Sequence, residues 1–282
     1  MAQTSAGLPG ADPTTLPDDA ELGTLRRVAE QVAGEAAAYL RTLPAPRETG
    51  AVGTKSTPTD VVTESDEAVE RLVRRRLGEL RPGEAVYGEE AAGDAAAARW
   101  VVDPIDGTVN YLYGQPAYAV SLAAVVDGVS VAGAVVEPAS GRVWSAAAGQ
   151  GATCDGRPLR VTAETDLSLA LLGTGFAYSA QRRARQARMI GTVLPRVRDV
   201  RRNGSAALEL CFVAAGMLDA FYEHGLGWWD WAAAALIAQE AGAVVWPRGH
   251  GGELGAEITV AATPGIADAL VALLASAGAA GV

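Results

Sequence analysis

The chain has 282 residues, of which 49% are hydrophobic and 20% are charged, a composition typical of a globular enzyme. Its formal net charge of −10 argues against non-specific binding to nucleic acid or to an anionic membrane surface, and no apolar run is long enough to span a bilayer. The only cysteines, Cys154 and Cys211, predict no disulfide framework, and without a signal-peptide pattern we expect a cytoplasmic protein.

Helical spacing marks the first elements of the chain. Residues 1–17 lack periodicity and are predicted to be a disordered leader. A helix is expected from Asp18 to about Leu40, followed by a loop over residues 42–59. A second helix should start near Thr63, where Thr63 and Asp66 suggest a capping box, and continue to about Leu80.

Strand patterns dominate the next part of the chain, whereas strands and helices alternate after it. The strands expected up to residue 160 are 85–87, 100–102, 118–126, 129–136 and 143–147. Beyond it we expect strands 170–174, 220–222, 244–246 and 258–262, with helices 180–195, 205–215, 230–241 and 266–276. We therefore predict an α+β half (18–160) and an α/β half (161–282) that together form one unit.

The most informative local pattern is Asp-Pro-Ile-Asp-Gly-Thr at residues 103–108, directly after a buried strand. Pro104 lacks an amide proton and is expected to end that strand, which would leave Asp103 and Asp106 at its mouth. Carboxylates followed by the backbone of Gly107 and the hydroxyl of Thr108 suit metal-assisted hydrolysis of a phosphate ester. Asp-Pro and Asp-Gly are also ordinary turn pairs, so this pattern alone leaves a simple turn open.

Three further segments accompany this pattern, with the sequences DVVTESD at 60–66, YGEE at 87–90 and EHGLGWWDWAA at 223–233. In this order, over roughly residues 20–275, the four segments resemble the inositol monophosphatase family. That family belongs to the Mg²⁺-dependent, lithium-inhibited phosphatases, with the fructose-1,6-bisphosphatases and the nucleotide bisphosphate phosphatases. The resemblance implies a layered αβαβα sandwich and a homodimer.

The resemblance also implies a set of metal ligands and a water-activating pair. Two Mg²⁺ ions, with a weaker third near Glu89, would be held by Glu89, Asp103, the Ile105 carbonyl, Asp106 and Asp230, most of them in the first half of the chain. Taken alone, Asp230 could be a helix cap. The implied catalytic residues are Asp60, Thr108 and Glu89, with Asp60 and Thr108 activating a metal-bound water for in-line attack.

The substrate implied by the resemblance is inositol monophosphate, which would be hydrolysed to inositol and phosphate. The residues expected to contact it are Lys55, Asp106, Gly107, Thr108, Ser205, Ala206 and Glu223. Glu223 would accept a substrate hydroxyl, which favours a polyol phosphate. Histidinol phosphate, fructose 1,6-bisphosphate or a nucleotide 3′,5′-bisphosphate stay open as substrates.

A protein-binding regulator is the alternative from another class, because some bacterial relatives act on transcription complexes. Its docking face would be the arginines at 182, 183, 185, 188, 196, 198, 201 and 202. The acidic balance of the chain opposes direct binding to RNA, and a solvated helix face is the more usual meaning of such a run. We expect no membrane partner.

Overall fold

The computed structural model describes residues 16–44, 52–55, 61–91 and 93–282. Its helices are α1 (Asp19–Leu40), α2 (Glu64–Leu80), α3 (Thr108–Tyr113), α4 (Ala180–Val193), α5 (Ala206–Ala214), α6 (Trp228–Glu240) and α7 (Ala267–Ser276). The strands of the first half are β1 (Val52–Thr54), β2 (Val61–Thr63), β3 (Val86–Gly88), β4 (Trp100–Asp106), β5 (Ala119–Val126), β6 (Val129–Val136), β7 (Val143–Ala147), β8 (Ala152–Cys154) and β9 (Arg157–Pro158). Those of the second half are β10 (Leu171–Thr174), β11 (Asp199–Arg201), β12 (Ala220–His224), β13 (Val244–Trp246) and β14 (Ile258–Ala262).

Two sheets organise the chain. The larger one has seven strands in sequential order from β3 to β9; β3 and β4 are parallel and every other neighbouring pair is antiparallel. The second sheet has the order β11-β10-β12-β14-β13, with β10 parallel to β11 and β12, and β14 antiparallel to β12 and β13. Within the described residues, no helix is both long enough and apolar enough to cross a membrane.

Helices form three layers around these sheets. The apolar faces of α1 and α2 pack on one side of the seven-stranded sheet, and α5 and α6 fill the space between the two sheets. The outer side of the five-stranded sheet is covered by α4 and α7. The order of layers is therefore αβαβα, which confirms the predicted fold.

Small side chains allow the central layer to pack closely. Every residue of α6 from Ala232 to Ala238 is buried, because sheets or helices surround this helix on all sides. On the facing strand β6, a Cβ on Gly133 would come within 2.9 Å of the Ala233 Cβ. This contact places the N-terminus of α6 near the end of β4, where the carboxylates lie.

The prediction that the strand ends at Asp103 is wrong. Strand β4 continues through Pro104 to Asp106, which pairs with Ala119 of β5. The register shifts between Asp103 and Asp106, and this irregularity takes Pro104 out of the ladder, so its missing amide proton costs no hydrogen bond. The shift gives both aspartates fixed positions on a strand.

The prediction of a continuous loop over residues 42–59 is also wrong in part. Val52–Thr54 pairs with Val61–Thr63 as a small antiparallel sheet, whose strands are too short to stand out from the sequence. Other differences are minor: α6 begins two residues before Asp230, and the short elements α3, β8, β9 and β11 were not predicted. Of the predicted leader, residues 1–15 lie outside the described residues.

Candidate active site

Three carboxylates converge at the end of β4. Oxygen atoms of Asp103, Asp106 and Asp230 all lie within 4.8 Å of one another. The first two come from β4, whereas Asp230 comes from the first turn of α6, far along the sequence. The tertiary structure thus brings together three of the four predicted carboxylate ligands.

Asp106 joins the two halves of the molecule. Its carboxylate accepts hydrogen bonds from the Ser205 hydroxyl, the Ala207 amide at 2.7 Å and the Ala206 amide at 3.3 Å. These donors form the N-terminus of α5, where unpaired amides and the helix dipole favour a negative charge. Ser205 and Ala206 were predicted to contact the substrate, and here they hold Asp106.

Asp230 is fixed by its own helix and by an aromatic cluster. The Gly227 amide donates to Asp230 Oδ2 at 2.5 Å, so this side chain caps the start of α6 and also belongs to the three-carboxylate group. The rings of Trp228 and Trp229 lie 5.9 and 5.7 Å from the Tyr87 ring of β3. Asp230 can therefore cap α6 and belong to the three-carboxylate group at the same time.

The electrostatics of the group fit a bound cation. Burial, then the charges of Glu89, Asp106 and Asp230, raise the pKa of Asp103 well above its usual value. Burial raises the pKa of Asp106 to about 6 against its hydrogen bonds, and burial with the charges of Asp106 and Glu89 raises the pKa of Asp230. Within the described part of the chain, none of the three pairs with a lysine or arginine. Oxygen ligands that repel one another in this way suit a hard divalent ion.

Glu89 lies beside this group but outside the set of three. Its Oε1 accepts a hydrogen bond from Lys55 Nζ at 2.7 Å, and Lys55 also donates to Glu90 Oε1 at 2.6 Å. Burial raises the pKa of Glu90 to about 7, although the bond with Lys55 opposes that shift. Lys55 therefore contacts the acidic loop after β3, and both Lys55 and Glu89 line the same cavity as the three aspartates.

Among the described residues, the Thr108 hydroxyl has one carboxylate partner, Asp66. Its Oγ1 lies 3.0 Å from the Ile105 carbonyl oxygen and 3.3 Å from Asp66 Oδ1. The other oxygen of Asp66 accepts from the Thr63 amide and hydroxyl, which confirms the predicted capping contact. Burial raises the pKa of Asp66 to about 6 despite these bonds. Asp60 lies outside the described residues, so its predicted role stays a prediction.

The carboxylates form one end of a cavity of about 430 Å³. Gly107 and Thr108 lie in its wall at the start of α3, where Gly107 has φ +95° and no room for a side chain, since a Cβ would be 3.0 Å from the Ala117 oxygen. Glu223 faces the same cavity, and its carboxylate accepts no hydrogen bond from any described residue. Burial raises the pKa of Glu223 to about 8, against the charge of Arg202.

The far wall of the cavity includes two arginines that the sequence had placed in a possible docking face and not in the active site. Arg202 and Arg182 line it together with Gly175, where a Cβ would come within 2.0 Å of the Glu223 carboxylate. His224 also lines it, but this side chain is buried with its Nε2 3.1 Å from the Ala279 oxygen. Burial lowers the pKa of His224 to about 4, so it is neutral near pH 7.

Asp66 is the main functional candidate that sequence reasoning missed. Because Asp66 stands three residues after Thr63, the sequence explains it as part of a helix cap. No neighbouring residue in the sequence indicates that it also contacts Thr108. The signal available is the short Asp-rich segment 60–66, in which either aspartate could meet Thr108. The packing of α2 against the end of β4 brings Asp66 to the Thr108 hydroxyl, whereas Asp60 lies outside the described residues.

Comparison with known proteins agrees with this site. A model of the inositol monophosphatase family matches residues 21–279. An inositol-1-monophosphatase of Mycobacterium leprae is 56% identical over 280 residues, covering 92% of this chain and 96% of the relative. The structure of Mycobacterium tuberculosis SuhB has a TM-score of 0.78 at 48% identity, covering 92% of this chain and 98% of that one. A protein named Nus factor SuhB, from Pseudomonas aeruginosa, is 40% identical over 194 residues, covering 66% of this chain and 72% of the relative. The chain therefore belongs to the inositol monophosphatase family, and it is a phosphatase of a metal-dependent kind.

Proposed function

We propose that this phosphatase hydrolyses inositol monophosphate to inositol and phosphate, with Mg²⁺ as its cofactor. The observation that carries the proposal is the group formed by Asp103, Asp106 and Asp230, which no lysine or arginine of the described residues neutralises, in one cavity with Glu223. With the Glu89 carboxylate and the Ile105 carbonyl, these residues would hold two Mg²⁺ ions, with a third near Glu89. When bound, Mg²⁺ would lower the pKa of water and screen the charge of the phosphate.

The residues around the group have assignable roles. The backbone of Gly107 and Thr108 is placed at the cavity wall to receive phosphate oxygens. The Thr108 hydroxyl can hold the attacking water, and Asp66, 3.3 Å away with a pKa of about 6, can take its proton. Asp60, the residue expected in this role, stays a candidate for it beside Asp66. Lys55 would bring positive charge to the same end of the cavity through its contact with Glu89.

Glu223 supports a hydroxyl-rich leaving group. The Glu223 carboxylate faces the cavity and accepts no hydrogen bond from a described residue, so it is free to accept one from an inositol hydroxyl. Gly175 leaves the space in which the Glu223 carboxylate lies. The relatives named inositol-1-monophosphatase favour the same substrate. Lithium inhibition, a homodimer and a cytoplasmic location stay predictions from the family and the composition.

The substrate is tested by a panel measurement. With Mg²⁺ present, we expect phosphate release from inositol 1-phosphate to exceed that from histidinol phosphate, fructose 1,6-bisphosphate and adenosine 3′,5′-bisphosphate. Glu223→Gln should lower kcat/KM for inositol 1-phosphate but leave hydrolysis of p-nitrophenyl phosphate, which has no hydroxyls, nearly unchanged. Preference for another ester would refute inositol monophosphate as the substrate but would leave the proposed metal-assisted hydrolysis standing.

The regulator reading has one observation in its favour, the relatives named Nus factor SuhB. The arginine run gives it little support, because several members are engaged within the molecule. Arg183 and Arg198 donate to backbone carbonyls, Arg185 donates to the carbonyl of Val282, and Arg201 pairs with Asp199. Absence of any Mg²⁺-dependent turnover in the panel would favour a regulator.

A further inference from the structure

Glu70 on α2 is a buried carboxylate that bonds to the segment carrying Glu89. Only 1% of Glu70 is exposed. Its Oε2 accepts from the Glu90 amide at 2.8 Å, and its Oε1 accepts from the Ala91 amide at 3.1 Å. These are the two backbone donors that directly follow Glu89, so the position of Glu70 determines the path of the chain there.

Arg74, one helical turn further along α2, completes the clamp. Its Nη2 lies 2.7 Å from Glu70 Oε1, and its Nη1 donates to the Val86 carbonyl of β3 at 2.8 Å. The Glu70–Arg74 pair therefore holds the chain on both sides of Glu89. Gly88 lies against the pair, since a Cβ on it would be 2.5 Å from Glu70 Oε1.

The geometry points to Glu70 as a positioning residue for the metal site: it holds Glu89 where the carboxylate can reach the group formed by Asp103, Asp106 and Asp230. The inference rests on the proposed function, in which Glu89 is a metal ligand. Groups that orient metal ligands through hydrogen bonds typically change metal affinity about 10- to 100-fold when they are altered.

Lys55 makes this anchoring necessary. Its ammonium group contacts both the Glu89 and the Glu90 carboxylates, and so competes with a metal ion for the negative charge of Glu89. The hydrogen bonds from the Glu90 and Ala91 amides to Glu70 hold this segment in place independently of the contact between Lys55 and Glu89.

Glu70→Gln is the sharpest test. The amide keeps the size of the side chain but replaces one acceptor with a donor that faces the Glu90 and Ala91 amides. Glu67→Gln is the matched control, because Glu67 forms the same (i, i+4) pair with Arg71 on the same helix and is exposed. Binding is measured directly, by calorimetric titration with Mg²⁺ and by electron paramagnetic resonance of free Mn²⁺.

For Glu70→Gln we expect metal affinity to fall about tenfold or more, with a matching rise in the Mg²⁺ concentration for half-maximal activity. The kcat at saturating Mg²⁺ should change much less, and Glu67→Gln should match the wild type throughout. Wild-type metal affinity in Glu70→Gln, with or without a lower melting temperature, would overturn the inference.

If Glu70→Gln does not fold, Arg74→Lys tests the same inference. It keeps the positive charge but loses the forked contact with Glu70 and Val86, and weaker metal binding is again expected. Unchanged binding in this variant would count against the clamp. Lack of Mg²⁺-dependent phosphate release in the wild type would instead overturn the proposed function, and the direct Mn²⁺ titration would still decide the role of Glu70.

Discussion

Asp103→Asn should make the metal-free protein more stable while it abolishes metal-dependent activity. In the absence of a cation, Asp103, Asp106 and Asp230 repel one another across distances of up to 4.8 Å. Replacing Asp103 by its near-isosteric amide removes two of the three repulsive pairs and one buried charge. Its Oδ1 can still accept from the Ile105 amide, which lies 3.0 Å away.

The expected gain follows from Coulomb's law. At 4.8 Å and an effective dielectric constant of about 20, each fully ionised pair costs about 3 kcal/mol. Because the raised pKa values leave the group partly protonated, a net gain of about 1–3 kcal/mol is the reasonable expectation. At roughly 2–4 °C per kcal/mol, the melting temperature in EDTA should rise by about 2–12 °C.

The assay compares melting temperatures in EDTA and in saturating Mg²⁺, together with phosphate release. Wild type should gain stability from Mg²⁺, whereas Asp103→Asn should gain little and should lose about 10³-fold or more in kcat/KM, since several kcal/mol of charge stabilisation disappear. Asp127→Asn, in the exposed turn between β5 and β6, is the matched control because asparagine tolerates its φ of 50°. A destabilised Asp103→Asn that still responds to Mg²⁺ would refute this reasoning.

Two further predictions concern Thr108 and the buried carboxylates. Thr108→Val should lower kcat about 10²-fold or more without changing the Mg²⁺ requirement, because the hydroxyl beside Asp66 is lost, and Thr108→Ser should keep most activity in the same steady-state assay. Between pH 6.5 and pH 8 the free energy of unfolding of the metal-free protein should fall. Folding raises the pKa of Glu223 from 4.5 to about 8, so the folded state holds a proton that the unfolded state has already lost, and this contribution to stability disappears as the pH rises. His224 is neutral in both states across most of that range. In thermal melts in EDTA, the melting temperature of the wild type should fall with rising pH, and that of Glu223→Gln should fall less. A wild-type melting temperature that rises with pH would contradict the prediction.

The sequence by itself determined the long elements of the fold, and its family resemblance implied the layered architecture and a set of metal ligands. Hydrophobic periodicity identified the long helices and the longer strands of both sheets, because burial on one face leaves a regular pattern. The Asp-Pro-Ile-Asp-Gly-Thr segment indicated carboxylates beside a phosphate-binding turn, because a strand end, two aspartates and a glycine lie within a few residues of one another.

What the tertiary structure decided depends on contacts between residues distant in the sequence. The packing of α2 against the end of β4 brings Asp66 to the Thr108 hydroxyl, and the register shift at Pro104 keeps Asp106 in the strand. Burial and mutual repulsion set the raised pKa values of the carboxylates. The bonds from Glu70 to the segment after Glu89 likewise leave no local pattern, because a buried acidic residue in a helix looks like an exposed one until its neighbours are known.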